Sequence, residues 1–176
     1  RESALLGTGN LNEKTAKGYT DYFLITSNKL LTNELNMLFE FLPARRKPHS
    51  PNELSFSHLL IAQFNLKHTF LSLIDQAIQA AKAGETATIK IKLNNLEEES
   101  LINKLYEASR AGVKLQLLVR GICRLKPQVP GLSDKIVVKR IVGRYLEHGR
   151  IFIFQYQAQS SVYLGSSDWM NRNIYR

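Results

Sequence analysis

The sequence predicts an α/β protein with a mixed, mostly parallel sheet flanked by helices. Strand and helix patterns alternate from residue 59 to residue 119, at lengths that suit strand–helix–strand units. Arg120 and the pair Asn94-Asn95 directly follow apolar strands, where ligands of open α/β sheets bind. At 176 residues the chain can form one medium domain or the ends of two. Its 24 Lys and Arg against 15 Asp and Glu give +9, which favours nucleic acid, nucleotides, polyanions or acidic lipid headgroups as partners. The basic residues form no run long enough for a disordered nucleic-acid arm. The single cysteine, Cys123, excludes an intrachain disulfide, points to a reducing compartment and reads as a buried inert thiol. No apolar run reaches membrane-spanning length and no signal peptide is evident. Arg1-Glu-Ser-Ala lacks an initiator methionine, so a fragment or processed piece is expected.

Taken in order, Gly7-Thr-Gly-Asn10 is a turn whose backbone and side-chain donors can approach an anion. Tyr19 to Thr26 alternates loosely and reads as a strand, centred on Tyr22-Phe-Leu-Ile-Thr26. Ser27 or Asn28 then caps a helix to about Leu42, with Leu31, Leu35, Leu38, Phe39 and Leu42 on one face. Residues 43–52 hold three prolines (Pro43, Pro48 and Pro51) and Arg45-Arg46-Lys47, and form the expected linker. Leu59 to Ala62 is expected as a short buried strand and Leu66 to Lys82 as a helix ending at Gly84. Ala87 to Leu93 alternates as a strand. Glu97 to Arg110 is a helix opened by three acids that suit its positive end and closed at Gly112. Val113 to Val119 and Ile136 to Val142 are further strands.

The candidate site lies in Tyr145-Leu-Glu-His148-Gly-Arg150 and the strand that follows. Alternation places His148 and Arg150 on the same side of an extended chain, able to face one ligand. Ser161 to Leu164 should pair with that strand and end in Gly165-Ser-Ser-Asp168, an echo of Gly7-Thr-Gly-Asn10 that hints at two halves converging. The Ser166 and Ser167 hydroxyls can meet an anion there. An imidazole, the guanidinium groups of Arg120, Arg144 and Arg150, and a small-residue turn suit a phosphoryl group. His49, His58 and His68 have no partner at metal-ligand spacing, so no metal site is expected. Phe152, Phe154, Tyr156 and Tyr163 read as core, and Trp169 as packing beneath the turn.

Assembled, these segments resemble the bacterial polyphosphate kinases of the first type. The matching stretches are Gly7-Thr-Gly-Asn-Leu-Asn-Glu-Lys-Thr-Ala-Lys17 with Tyr19-Thr-Asp21, Lys92-Leu-Asn-Asn-Leu96, and Leu118-Val-Arg-Gly-Ile-Cys123. Pro130-Gly-Leu-Ser133, Ile141-Val142 with Arg144-Tyr-Leu-Glu-His148, and Ser166-Ser-Asp-Trp-Met170 with Arg172-Asn173 follow in family order.

The resemblance implies two phospholipase-D-like catalytic domains, the first ending within residues 1–52 and the second over 53–176, truncated at its C-terminus. It implies reversible transfer of the terminal phosphate of ATP to inorganic polyphosphate through a phosphohistidine, assisted by Mg²⁺. His148 would be the second site histidine, an acid or transition-state partner. Arg120 would hold ATP phosphates beside His148 and Arg150, and Tyr19 would pack on adenine. Gly7, Thr8, Gly9, Asn10, Ser166 and Asp168 would support the site.

ATP, ADP and polyphosphate are the implied partners, with no specific nucleic acid. A cytoplasmic bacterial parent is implied, homo-oligomeric and open to peripheral membrane association. The family's first His-x-Lys motif is not in this sequence, so the isolated chain is expected to be inactive. Leu5 stands where many members carry histidine, and Gln155 where a phospholipase D pattern has aspartate. The alternatives are a phospholipase-D-like phosphodiesterase using His148 directly, or a basic polyanion-binding module.

Overall fold

The computed structural model describes residues 2–175. The chain begins with strand β1 (Ala4–Gly7), short helix α1 (Glu13–Ala16), and strands β2 (Tyr19–Thr20) and β3 (Phe23–Thr26). β1 and β3 form an antiparallel hairpin with Gly7 opposite Phe23. Asn28 supplies the cap of α2 (Lys29–Phe41) by accepting from the Leu30 N–H at 2.9 Å. Leu31, Leu35 and Leu38 are partly buried, whereas Phe39 and Leu42 stay exposed, so only part of the expected apolar face is covered.

A 3₁₀ turn at Leu42–Ala44, with Pro43 inside it, ends α2. In the linker beyond, Arg46 pairs with Glu53, which also accepts from the His49 N–H at 2.7 Å. The Arg46 hydrogen bond, then the His49 amide, hold the Glu53 carboxyl down at about 2. The three-residue basic run is therefore partly tied down.

The expected strand at Leu59 to Ala62 does not form; the segment is irregular and half-buried. Its backbone is satisfied by side chains. The buried Glu34 carboxylate of α2 accepts from the N–H groups of Ser57, His58 and Leu59 at 2.7 to 3.1 Å. Asn65 accepts from Ile61 N–H and donates to the carbonyls of Phe56 and Leu59. With both backbone partners supplied locally, no sheet neighbour is needed.

The regular half follows its sequence pattern closely: α3 (Leu66–Lys82), β4 (Ala87–Leu93), α4 (Glu99–Arg110) and β5 (Lys114–Val119). The glycines past the two helices, Gly84 and Gly112, sit at φ +85° and +100°, where a side chain would be strained. Glu98, the last of the acids expected to open the helix but one, caps α4 through the Leu101 N–H at 2.7 Å. Then come β6 (Ile136–Lys139), β7 (Leu146–Glu147), β8 (Arg150–Tyr156), β9 (Gln159–Gly165) and α5 (Asn171–Tyr175). β6 is shorter than expected: residues 140–145 leave the sheet and lie exposed.

The main sheet has the order β6-β5-β4-β8-β9. β4, β5 and β6 are parallel, β8 runs antiparallel to β4, and β9 reverses again. Four of the five strands thus point one way. The alternate residues Ile89, Ile91, Leu115, Leu117, Phe152 and Phe154 are buried with Ile74 and Ile78 of α3 and Leu101 and Leu105 of α4. Each such side chain contributes about 1.5 to 3 kcal/mol through burial. Phe70 joins the aromatics, 4.6 Å from Phe152, and Trp169 stacks on Phe152 at 5.5 Å, fully buried. The aromatic stripe is core. No helix among the described residues is long and apolar enough to cross a membrane.

Candidate functional site

Sheet direction gathers the site. The parallel strands β4 and β5 end together at Leu93 and Val119, and β9 ends at Gly165. β8 runs the other way, so its start at Arg150 reaches the same sheet end, directly opposite Gly165. Arg120 and Asn94 are joined there by backbone bonds: Arg120 N–H to the Leu93 carbonyl, and Gly121 N–H to the Asn94 carbonyl. The N-terminal region arrives through β2, which pairs in parallel with β7: Tyr19 lies opposite Leu146 and Thr20 opposite Glu147. The His148 N–H extends that contact to the Thr20 carbonyl at 3.2 Å.

His148 is partly buried, and its Nδ1 lies 2.8 Å from Asp21 Oδ1. A carboxylate only accepts, so Nδ1 carries the proton and Nε2 is left with its lone pair. Nε2 has no protein partner among the described residues. Asp21 is fixed in turn by the Thr8 hydroxyl, which donates to the same oxygen at 2.7 Å while accepting from the Tyr22 N–H at 3.0 Å. Gly9 leaves the room: a Cβ there would stand 2.0 Å from Asp21 Oδ2. Tyr19 meets the imidazole edge-on, ring centroids 4.9 Å apart.

Arg150 is buried and bound on every side. Its Nε and Nη2 donate to the two oxygens of Asp168 at 3.1 and 3.3 Å, and its Nη1 to the carbonyls of His148 and Thr8 at 2.7 and 3.3 Å. In the amide orientation that satisfies both neighbours, Asn94 accepts from Arg150 Nη2 at 2.7 Å and donates to the Glu147 carbonyl at 3.0 Å. All five guanidinium N–H groups then have protein acceptors. A phosphate contact from Arg150 requires one of these bonds to be given up. Among the described residues Arg120 spends only an Nη1 hydrogen on a side-chain bond, to the Glu147 carbonyl at 2.9 Å, and is half-exposed. It is the freer guanidinium.

Asp168 also accepts from the Asn94 N–H at 2.8 Å and from Asn95 Nδ2 at 3.1 Å. The two small-residue turns do converge: Gly7 and Thr8 line one cavity of about 550 Å³ with Gly165, Ser166 and Ser167. Asn10 is exposed and makes no side-chain hydrogen bond among the described residues, and Arg144 lies in the exposed loop beside Tyr145. Leu5 points along the hairpin face that stays half-exposed. Sequence reasoning gave no role to Asp21, Lys92 or Glu147. Asp21 and His148 are 127 residues apart, and no local pattern joins them. Cys123 is half-buried, with burial pushing its thiol pKa up, as an inert thiol requires.

Fold and site together define an α/β module whose strand ends present a carboxylate-held histidine amid arginines. Comparison with known proteins gives the family. Residues 59–176 match polyphosphate kinase C-terminal domain 2, and residues 1–48 match polyphosphate kinase C-terminal domain 1. The polyphosphate kinase of Yersinia pestis is 48% identical over 97% of the chain, and those of Escherichia coli and Bacillus anthracis are each 44% identical over 97% and 96%. The crystal structure of polyphosphate kinase from Porphyromonas gingivalis superposes with a TM-score of 0.89 at 40% identity, covering 98% of this chain and 26% of that one. The chain belongs to the polyphosphate kinase family. It spans about a quarter of its relatives: 24%, 24% and 23% of the three sequences above.

Proposed function

We propose that this chain supplies the second-histidine half of a polyphosphate kinase, which transfers the terminal phosphate of ATP reversibly to inorganic polyphosphate. The phosphate-accepting histidine belongs to a segment outside these residues, and residues 1–52 and 53–176 contribute to two successive catalytic domains. The observation that carries the reading is the His148–Asp21 pair, with Nδ1 engaged and Nε2 unpartnered among the described residues, while Arg120 holds the carbonyl of the preceding Glu147. When the bond from the γ-phosphorus to ADP breaks, its electron pair stays on the ADP oxygen and the new bond forms to the accepting histidine. A protonated His148, stabilised by Asp21, donates Nε2–H to the developing charge; neutral, it takes a proton at the same atom in the reverse direction. Arg120 binds phosphate oxygens, Tyr19 offers a face or edge to the base, and Arg150 keeps its bonds or exchanges one for phosphate. Positioning and electrostatics supply most of such catalysis.

Mg²⁺ would enter on the phosphates of ATP. Among the described residues no three His, Cys, Asp or Glu side chains cluster as ligands.

The test is labelling with ATP carrying a labelled γ-phosphate. The folded 176-residue chain should take up no acid-labile label, and a polypeptide of full family length carrying these residues should. Label on the short chain that disappears in His148→Ala would overturn the reading, since His148 would then be the nucleophile. Tyr19→Ala should remove any preference for ATP over inorganic triphosphate.

A further inference from the structure

We propose that Lys92 is a positioning residue for His148, the third of three cations that clamp the backbone on which the imidazole is carried. The inference rests on the reading of His148 as the reacting side chain. Consecutive carbonyls of the segment each accept from a different cationic side chain. Glu147 O accepts from Arg120 at 2.9 Å, His148 O from Arg150 at 2.7 Å and Gly149 O from Lys92 at 3.1 Å. The three cations come from the ends of three adjacent strands, β5, β8 and β4. Residues 148–149 fall between β7 and β8, where the strand pairings of the sheet are interrupted. These carbonyls therefore depend on side-chain donors, and bonds from charged donors are about twice as strong as neutral ones.

Lys92 differs from Arg120 in having little to spare. Its ammonium also pairs with Glu147 Oε2 at 2.8 Å and lies 5.6 Å from the Tyr22 ring centre, with its side chain only 15% exposed. The hydrogen bond from Lys92 holds the Glu147 carboxyl below its ordinary range, so that carboxyl stays ionised at neutral pH. An ammonium has three donors and Lys92 directs them at Gly149, at Glu147 and towards the Tyr22 face. A guanidinium has five, and Arg120 can hold a carbonyl and a phosphate together. Lys92 thus fixes both ends of the Glu147–Gly149 segment, side chain at one and carbonyl at the other. Tyr22, the third contact, follows Asp21 directly, so the same ammonium ties the segment of His148 to the segment of its carboxylate partner.

In a polypeptide of full family length carrying these residues, Lys92→Met should lower kcat for polyphosphate synthesis about tenfold with KM for ATP changed less than about twofold. Lys92→Arg should recover most of that loss. On the 176-residue chain, nitrogen spectra of the imidazole should show His148 protonated at Nδ1, and a mixture of tautomers in Lys92→Met. Unchanged kcat with an unchanged His148 spectrum overturns the proposal. So does a raised KM with kcat intact, which would make Lys92 a nucleotide ligand. If Lys92→Met does not fold by circular dichroism, Lys92→Met with Glu147→Gln, which leaves no lone carboxylate, carries the same two readouts. Loss of the reading itself looks different: His148→Ala would then leave kcat intact, and the tautomer spectrum would still decide whether Lys92 positions the ring.

Discussion

His148 and Arg150 stand two residues apart at the entry to β8, and each takes an aspartate from another segment, Asp21 beside β2 and Asp168 at the end of the Gly165-Ser-Ser turn. The two pairs serve different ends. Asp168–Arg150 is sealed, its side chains 5% and 8% exposed, and every guanidinium donor is spent inside the protein. Asp21–His148 is more open at 12% and 21%, and it leaves one ring nitrogen unpartnered among the described residues. A permanently charged group is suited to holding backbone in place, whereas an imidazole that can gain and lose a proton is suited to meeting a substrate. The same architectural device, an aspartate reaching a residue at the start of β8 or just before it, thus builds a rivet at one position and leaves a ring nitrogen open at the other.

Breaking the rivet should cost the most. Asp168→Ala leaves the Arg150 charge buried and unpaired, and thermal or urea unfolding should show a loss of about 3 to 5 kcal/mol. Asp21→Asn should invert the pattern. Its stability should change by no more than about 1 kcal/mol, since the imidazole can neutralise itself, while phosphoryl transfer in a full-length polypeptide falls about a hundredfold, or about 2.7 kcal/mol. If Asp21→Asn unfolds the protein instead, the second pair is structural as well and the contrast disappears.

Gly9→Ala sharpens the contrast from the other side. Its Cβ would displace Asp21 without removing it, for about 1 to 2 kcal/mol of stability and a partial loss of activity, and should leave Asp168–Arg150 untouched. The smallest effect lies far from both pairs. Glu53 titrates at about 2 in the folded chain against an ordinary 4.5, so its contribution to ordering the linker is complete above about 4.5 and declines as pH falls towards 2. Exchange protection of the His49 amide should follow that window, and Arg46→Ala should move its loss to higher pH.

The regular half of the fold was legible because local and global preferences agree there. β4 has the residue limits its alternation predicts, and α3 the limits its periodicity predicts. Leu59 to Ala62 was misleading because a short apolar run looks the same whether a neighbouring strand or a side chain satisfies its backbone. Glu34, more than twenty residues earlier, decided between them. At the site, residue types and spacing were enough to mark His148, Arg150, Arg120 and the two small-residue turns, since alternation and strand ends are local properties.

The sequence by itself determined an α/β sheet, a basic anion-seeking surface, a family resemblance and the histidine to watch. Only the tertiary structure decided which acid holds that histidine, that Arg150 is bound on all five donors, and that Lys92 completes the clamp beneath it. Those choices depend on strand direction: β8 opposes β4 and β5, so its first residues meet their last ones. Contacts between residues up to 142 positions apart follow from that reversal together with the β2–β7 pairing that brings in the N-terminal region, and from no pattern within any one segment.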